Sequence, residues 1–108
     1  MRVKTSELTR FALDWAVGTA LKLPAPYWDG NRCAAYSSDW AQGGPIIERE
    51  RISLTPRDYG WDALYHDRLF EEDGSDYFQK GTTPLIAAMR CYVSSKLGDE
   101  IDVPEELS

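Results

Sequence analysis

The sequence predicts a single α+β domain. Two long helices, about 6–22 and 83–97, pack on a small antiparallel sheet beside a short helical corner around 39–51. Three observations carry that reading. Apolar residues recur at helical spacing near both ends of the chain. Short alternating runs, separated by turn formers, lie between them. A length of 108 residues with 43% hydrophobic and 28% charged residues suits one core that needs no metal or disulfide.

The first helix opens with Thr5 or Ser6 as its cap and Glu7 in the first turn, where a carboxylate suits the helix dipole. Leu8, Phe11, Ala12, Trp15, Ala16 and Leu23 cover one broad face, which Leu13, Val17 and Leu21 widen. Only Glu7, Arg10 and Asp14 remain as a charged stripe, so the helix is buried on more than one side. Pro24 ends it. Pro24, Pro26 and Asp29-Gly30-Asn31 mark a loop to Tyr36, within which Cys33-Ala34-Ala35-Tyr36 fit a short strand. Ser38 or Asp39 then caps one helical turn that stops at Gly43-Gly44, and Pro45 opens another short helix through Arg51.

Ile52-Ser53-Leu54 and the run Trp61 to Tyr65 alternate around the turn formers at 55–60 and predict a hairpin with a six-residue loop. Leu69-Phe70 and Tyr77-Phe78 predict a second hairpin with an acidic tip, Glu71 to Asp76. The last helix has Thr83 as N-cap, Pro84 in its first turn and Gly98 as its stop. Leu85, Ala88, Met89 and Tyr92 follow at helical spacing, flanked by Ile86, Val93 and Leu97. Its other face, Ala87, Cys91, Ser94 and Ser95, is small enough to admit another backbone, and Ala87, Cys91 and Ser94 suit a homodimer seam. The expected core includes Leu8, Phe11, Trp15, Leu85, Met89, Tyr92 and Val93. Residues 1–98 make up the domain, and 99–108 an acidic C-terminal tail.

The charge balance narrows the partners. A net charge of −6 works against the basic face that nucleic acid requires. A double-stranded-RNA module also places basic residues at the start of its last helix, where this chain has Thr82-Thr83-Pro84-Leu85-Ile86. No nucleic-acid partner is expected. No apolar run approaches membrane-spanning length, and Met1 to Glu7 turn polar too early for a signal peptide. Cys33 and Cys91 form no Cys-x-x-Cys pair, which argues against zinc; a disulfide between them is open but not needed, and two reduced thiols are the expected state.

Catalytic patterns are absent from the sequence. His66 is the only histidine, and Tyr65-His66-Asp67-Arg68 contains no nucleophile motif. The acidic tip fails the calcium-loop pattern: with Gly74 as the required glycine, Leu69 and Lys80 fall at the first and last ligand positions. Gly81-Thr82-Thr83 lacks phosphate-loop spacing. No catalytic residue, metal or cofactor is assigned.

What remains is the segment from Ser38 to Glu50. Asp39, Trp40, Gln42, Gly43, Gly44 and Glu48 combine an acid, an indole, an amide and exposed backbone, a set suited to a partner's chain or a polar ligand. On the competing reading Asp39 caps a helix, Trp40 packs inward and the glycines turn the chain. The first function class is therefore a non-enzymatic binding or adaptor protein. The alternative is a small-molecule binder or small enzyme with a pocket near Trp40, Glu48 and Trp61.

Three blocks carry a family resemblance. They are Val3-Lys4-Thr5-Ser6-Glu7-Leu8-Thr9 with Ala12-Leu13-Asp14-Trp15-Ala16-Val17; Asp39-Trp40-Ala41-Gln42-Gly43-Gly44-Pro45-Ile46-Ile47-Glu48-Arg49-Glu50; and Thr83-Pro84-Leu85-Ile86-Ala87-Ala88-Met89-Arg90-Cys91-Tyr92-Val93 through Lys96-Leu97-Gly98-Asp99-Glu100. In these the chain is similar to the NinX-like family of small proteins encoded by bacteriophages and by prophages of enteric bacteria. Residues 55–80 resemble it least. The resemblance brings no activity and no catalytic residues. It implies a phage accessory protein in the bacterial cytoplasm; together with the acidic charge and the absence of a catalytic pattern, that setting makes a host or phage protein the expected partner.

Overall fold

The computed structural model describes residues 1–22, 35–66 and 76–105. The expected α+β architecture is present. In chain order the elements are β1 (Arg2–Lys4), a 3-10 turn (Thr5–Glu7), α1 (Arg10–Ala20), α2 (Trp40–Glu50), β2 (Ser53–Arg57), β3 (Gly60–His66), β4 (Asp76–Gly81), α3 (Pro84–Leu97) and β5 (Glu100–Asp102). β2, β3 and β4 form an antiparallel meander in that order, and β1 pairs with β5 in a separate two-stranded ribbon.

α3 is the centre of the molecule. It lies on the meander and also packs against α1, α2 and β5. Leu85, Ala87, Ala88, Met89, Cys91, Tyr92, Val93 and Ser94 are all buried, as expected for a helix that is apolar nearly all round. Its ends match the sequence. The Thr83 side chain accepts from the Ile86 N–H at 3.1 Å, Pro84 occupies the first turn, and Gly98 leaves the helix at φ 92°.

The N-terminal helix is shorter than expected and rotated. Thr5 does not cap it. The Thr5 N–H donates to the Asp99 carbonyl at 2.7 Å and its hydroxyl to the Gly98 carbonyl at 2.6 Å, so the residue anchors the chain to the end of α3. Leu8 is extended and fully buried, and α1 begins only at Arg10. The buried face becomes Ala12, Leu13, Ala16, Val17 and Ala20. Phe11 is 57% exposed, contrary to its expected place in the core, and Trp15 is half-buried at the core's edge. Asp14, expected in the charged stripe, is only 4% exposed.

The corner around 39–51 is one continuous helix, not two pieces broken at Gly43-Gly44. Packing outweighs propensity here. A Cβ on Gly43 would stand 2.2 Å from the Tyr36 carbonyl oxygen and 2.7 Å from Leu85 Cδ2, so only glycine permits the approach. Pro45 stays within the helix, on its exposed side, although it cannot donate to the Ala41 carbonyl. α2 ends at Arg51, which adopts the left-handed conformation (φ 56°) while the Ile52 N–H reaches back to the Ile47 carbonyl at 3.1 Å.

The first hairpin is tighter than the expected six-residue loop. Arg57 pairs with Gly60, leaving Asp58-Tyr59 as the turn. Pro56 is tolerated because β2 is an edge strand. Gly60 has φ 140° and approaches the Gly81 carbonyl too closely for any side chain. Tyr77-Phe78 lie in a strand as expected, and that strand pairs with β3, Leu64 opposite Phe78. Leu69-Phe70, the acidic tip as far as Ser75, and the Cys33-Ala34 part of the expected early strand lie outside the described residues; Ala35 and Tyr36 belong to a turn region.

Beyond Gly98 the chain returns to the N-terminus. Glu100–Asp102 pair with Arg2–Lys4, Ile101 and Val103 are buried, and Met1 and Val103 exchange hydrogen bonds at 2.9 Å in both directions. Arg2 faces Glu100 at 3.4 Å and Asp102 at 3.5 Å; exposed pairs like these contribute little individually.

Candidate functional site

The first turn of α2 shows how the sequence-derived site residues are divided. Asp39 is the N-cap, and its carboxylate accepts from the Ala41 N–H at 2.9 Å. Trp40 points outward, 53% exposed, and lies along the helix over Gly44, where an added Cβ would stand 3.6 Å from Trp40 Cε3. Gln42, Pro45 and Glu48 are exposed as well. Gly43 turns the opposite way and is sealed against Tyr36 and Leu85, so its backbone is not offered to solvent. The structure thus leaves Asp39, Trp40, Gln42 and Glu48 exposed along α2 and assigns Gly43 to the buried packing against Tyr36 and Leu85.

At the other end of α2 lies a polar network with no counterpart in the sequence reading. The Tyr65 hydroxyl donates to Glu50 Oε1 at 2.6 Å, and Arg49 Nε to Glu50 Oε2 at 2.8 Å. Arg49 also reaches the Tyr92 hydroxyl at 3.5 Å, and the Lys96 ammonium lies 5.9 Å from the Tyr65 ring and 5.8 Å from that of Tyr92. Partial burial opposes ionisation of Glu50, but Tyr65 and Arg49 outweigh it and hold the carboxyl below its ordinary range. Tyr65 lies 15 positions from Glu50 and Tyr92 lies 43 from Arg49, so no local pattern announces the cluster.

A second carboxylate is held in the same manner. Asp62 accepts from the Tyr59 hydroxyl and from Arg57 Nε at 2.8 Å, and Lys80 lies over the Tyr59 ring at 4.8 Å. The Tyr59 hydrogen bond, helped by Arg57, keeps Asp62 below its usual range. Asp14 behaves oppositely. Burial pushes its pKa up, only partly offset by the Ser37 N–H that donates to Oδ1 at 2.8 Å. Cys91 is buried among α3, β3 and β4, donates to the Tyr77 carbonyl at 2.9 Å and is pushed up to about 12, which removes it as a nucleophile. These groups hold elements together; they do not converge on a substrate-sized space.

The small-residue stripe Ala87, Cys91 and Ser94, expected as a dimer seam, is occupied by the protein's own sheet. A Cβ on Gly81 would stand 2.5 Å from the Ala87 backbone nitrogen. Small residues there admit β3 and β4, not a second subunit. Trp61 sits in β3 opposite Pro56 and Gly81, while Trp40 and Glu48 are on α2. A cavity of about 530 Å³ lies elsewhere, along the terminal ribbon between Arg2, Lys4, Ser6, Gln79 and the Leu97–Glu100 turn. His66 closes β3 opposite Asp76. Among the described residues no three His, Cys, Asp or Glu side chains cluster as a metal site, and no helix is long and apolar enough to cross a membrane.

A family model described as Bacteriophage P22, NinX matches residues 4–96. The chain belongs to the NinX family. The NinX match spans α1, α2, the three-stranded meander and nearly all of α3, and it stops before β5. It therefore includes the Trp40 surface and both tyrosine–carboxylate networks. No curated protein matches the chain.

Proposed function

We propose that this NinX-family chain is a phage accessory protein that works by binding, an adaptor for a host or phage protein, through the outer surface of α2 centred on Trp40. The observation that carries the reading is the indole itself: it stands 53% exposed on a capped, well-anchored helix. Exposed tryptophan on a rigid element is the side chain best suited to anchor a protein interface. Asp39 precedes it at the cap and Glu48 is exposed further along the same helix, so a complementary partner presents an apolar pocket with a neutral or basic rim.

The test pairs capture with stability. Tagged wild-type protein and Trp40→Ala are used as baits in phage-infected cells, and both are melted in parallel. The reading expects a partner that is retained by the wild type and lost with Trp40→Ala, at melting temperatures that agree within a few degrees. Identical captured sets would remove Trp40 from any interface. Loss of capture together with a large loss of stability would assign the residue to the fold.

A further inference from the structure

The cavity of about 530 Å³ beside the terminal ribbon is bounded by β1, the 3-10 turn after it, β4 and the turn that follows α3. That volume lies in the range of small-molecule sites. Gly98 lines it without a side chain, and a Cβ added there would meet no atom within 4 Å.

The charges around the cavity are not all satisfied by the fold. Arg2 is met by Glu100 at 3.4 Å and by Asp102 at 3.5 Å. Lys4 makes no ion pair or hydrogen bond among the described residues. The Asp99 carboxylate accepts only from the neutral Ser94 hydroxyl, at 3.4 Å, among the described residues. Lys4 pairs in register with Glu100, the neighbour of Asp99, yet the two uncompensated charges do not meet. The side chains of Ser6 and Gln79, which line the same space, are likewise without a hydrogen bond among the described residues.

A further cation stands nearby. The Arg90 guanidinium donates from Nε to the Leu8 carbonyl at 2.8 Å and from Nη1 to the Lys80 carbonyl at 2.7 Å. No carboxylate balances it among the described residues. Leu8 and Lys80 continue the segments that carry Ser6 and Gln79, so Arg90 adds positive potential on that side. A simple anion in the cavity would be opposed by Asp99 and Glu100, and a simple cation by Lys4 and Arg90. A molecule that carries both charges meets an opposite one at each end, with Leu97 as apolar wall.

We propose that this cavity binds a small zwitterion of the amino-acid type, an amino acid or short peptide. Its carboxylate lies against Lys4, Ser6 and Gln79, and its ammonium against Asp99. None of these residues is on α2, so this site and the Trp40 surface stand or fall independently.

Titration of the full chain with alanine and with alanylalanine, followed by amide chemical shifts, tests it. Probe concentrations up to about 50 mM cover the weak affinity expected of partly exposed charge contacts. At least one probe should give saturable shifts at Ser6, Gln79 and Gly98, and the tighter of the two reports the charge separation the site prefers. The amide of that probe, which lacks the carboxylate, and its N-acetyl form, which lacks the ammonium, should each bind at least about threefold more weakly. Lys4→Gln should abolish the preference for carboxylate over amide and keep the preference for a free ammonium. Asp99→Asn, which retains an acceptor for Ser94, should do the reverse. The amide spectrum shows whether each variant is folded, and the three probe forms on the wild type decide the matter if one is not. Absence of saturable shifts at these amides, equal affinity for all three forms, or folded variants that leave both preferences intact overturns the proposal.

Discussion

Tyr65 and Glu50 lie 15 positions apart, yet the tyrosine hydroxyl donates to the glutamate at 2.6 Å and ties the end of α2 to the centre of the meander. Arg49 completes the carboxylate's second oxygen. Through this contact the helix that carries Trp40 is fixed at both ends, by the Asp39 cap and by Glu50.

Tyr65→Phe should remove that hydrogen bond. A bond to a charged, partly hydrated group is worth roughly 1–2 kcal/mol, so the urea midpoint at neutral pH should fall accordingly. The Glu50 carboxyl is held below its ordinary range, which places its contribution above the unfolded value and removes it as pH falls through the folded one. Wild type and variant should therefore converge on acidification. An equal difference at both pH values would mean that the bond does not depend on an ionised carboxylate.

Asp14 has the opposite sign. Its folded pKa is raised by burial, so its contribution is fully present below the unfolded value and is lost as pH rises through the folded one. Glu50 and Asp62, both depressed, gain over the same range. Asp14→Asn keeps an acceptor for the Ser37 N–H while removing the charge. Its stability should match or exceed the wild type at neutral pH and climb more steeply between about pH 3 and about pH 7. Parallel curves from denaturant titrations would refute the assignment.

The two glycines of α2 should respond in opposite directions. Gly43→Ala forces a methyl group to within 2.2 Å of the Tyr36 carbonyl oxygen and should cost about 1–3 kcal/mol or more. Gly44→Ala meets only an ordinary 3.6 Å contact with Trp40 and should gain roughly 0.5–1 kcal/mol from helix propensity. Thermal melts of the pair would show whether packing or propensity governs the helix; shifts of the same sign would contradict the geometry.

Cys91 should resist alkylation in the native state. It is fully buried, its thiol is pushed up to about 12, and it donates to the Tyr77 carbonyl. Mass spectrometry of the Cys91 peptide after brief iodoacetamide treatment should find it unmodified in native protein and modified after denaturation. Rapid native labelling would place a path to solvent between α3 and the sheet.

The sequence by itself determined what rests on local chemistry. The Thr83–Pro84 start and Gly98 end of α3 are legible because cap, proline and glycine act within one turn. The Asp39 cap, the alternation at Trp61 to Tyr65 and the strand at Tyr77-Phe78 are legible for the same reason. The three family blocks are likewise features of the sequence alone. Tertiary structure decided the rest, because each remaining feature depends on a neighbour remote in the chain. Gly43-Gly44-Pro45 carries the local chemistry of a helix stop, yet the Tyr36 carbonyl and Leu85 select the glycine at 43 within an unbroken helix. Thr5 has a capping residue's chemistry and is instead held by Gly98 and Asp99, which delays α1 and turns Phe11 outward. Small residues on α3 can admit either a second subunit or the protein's own sheet, and β3 and β4 fill that space. Whether Trp40 faces solvent is likewise a matter of which side of α2 meets α3, since one helix face must be buried and the choice is made by the partner.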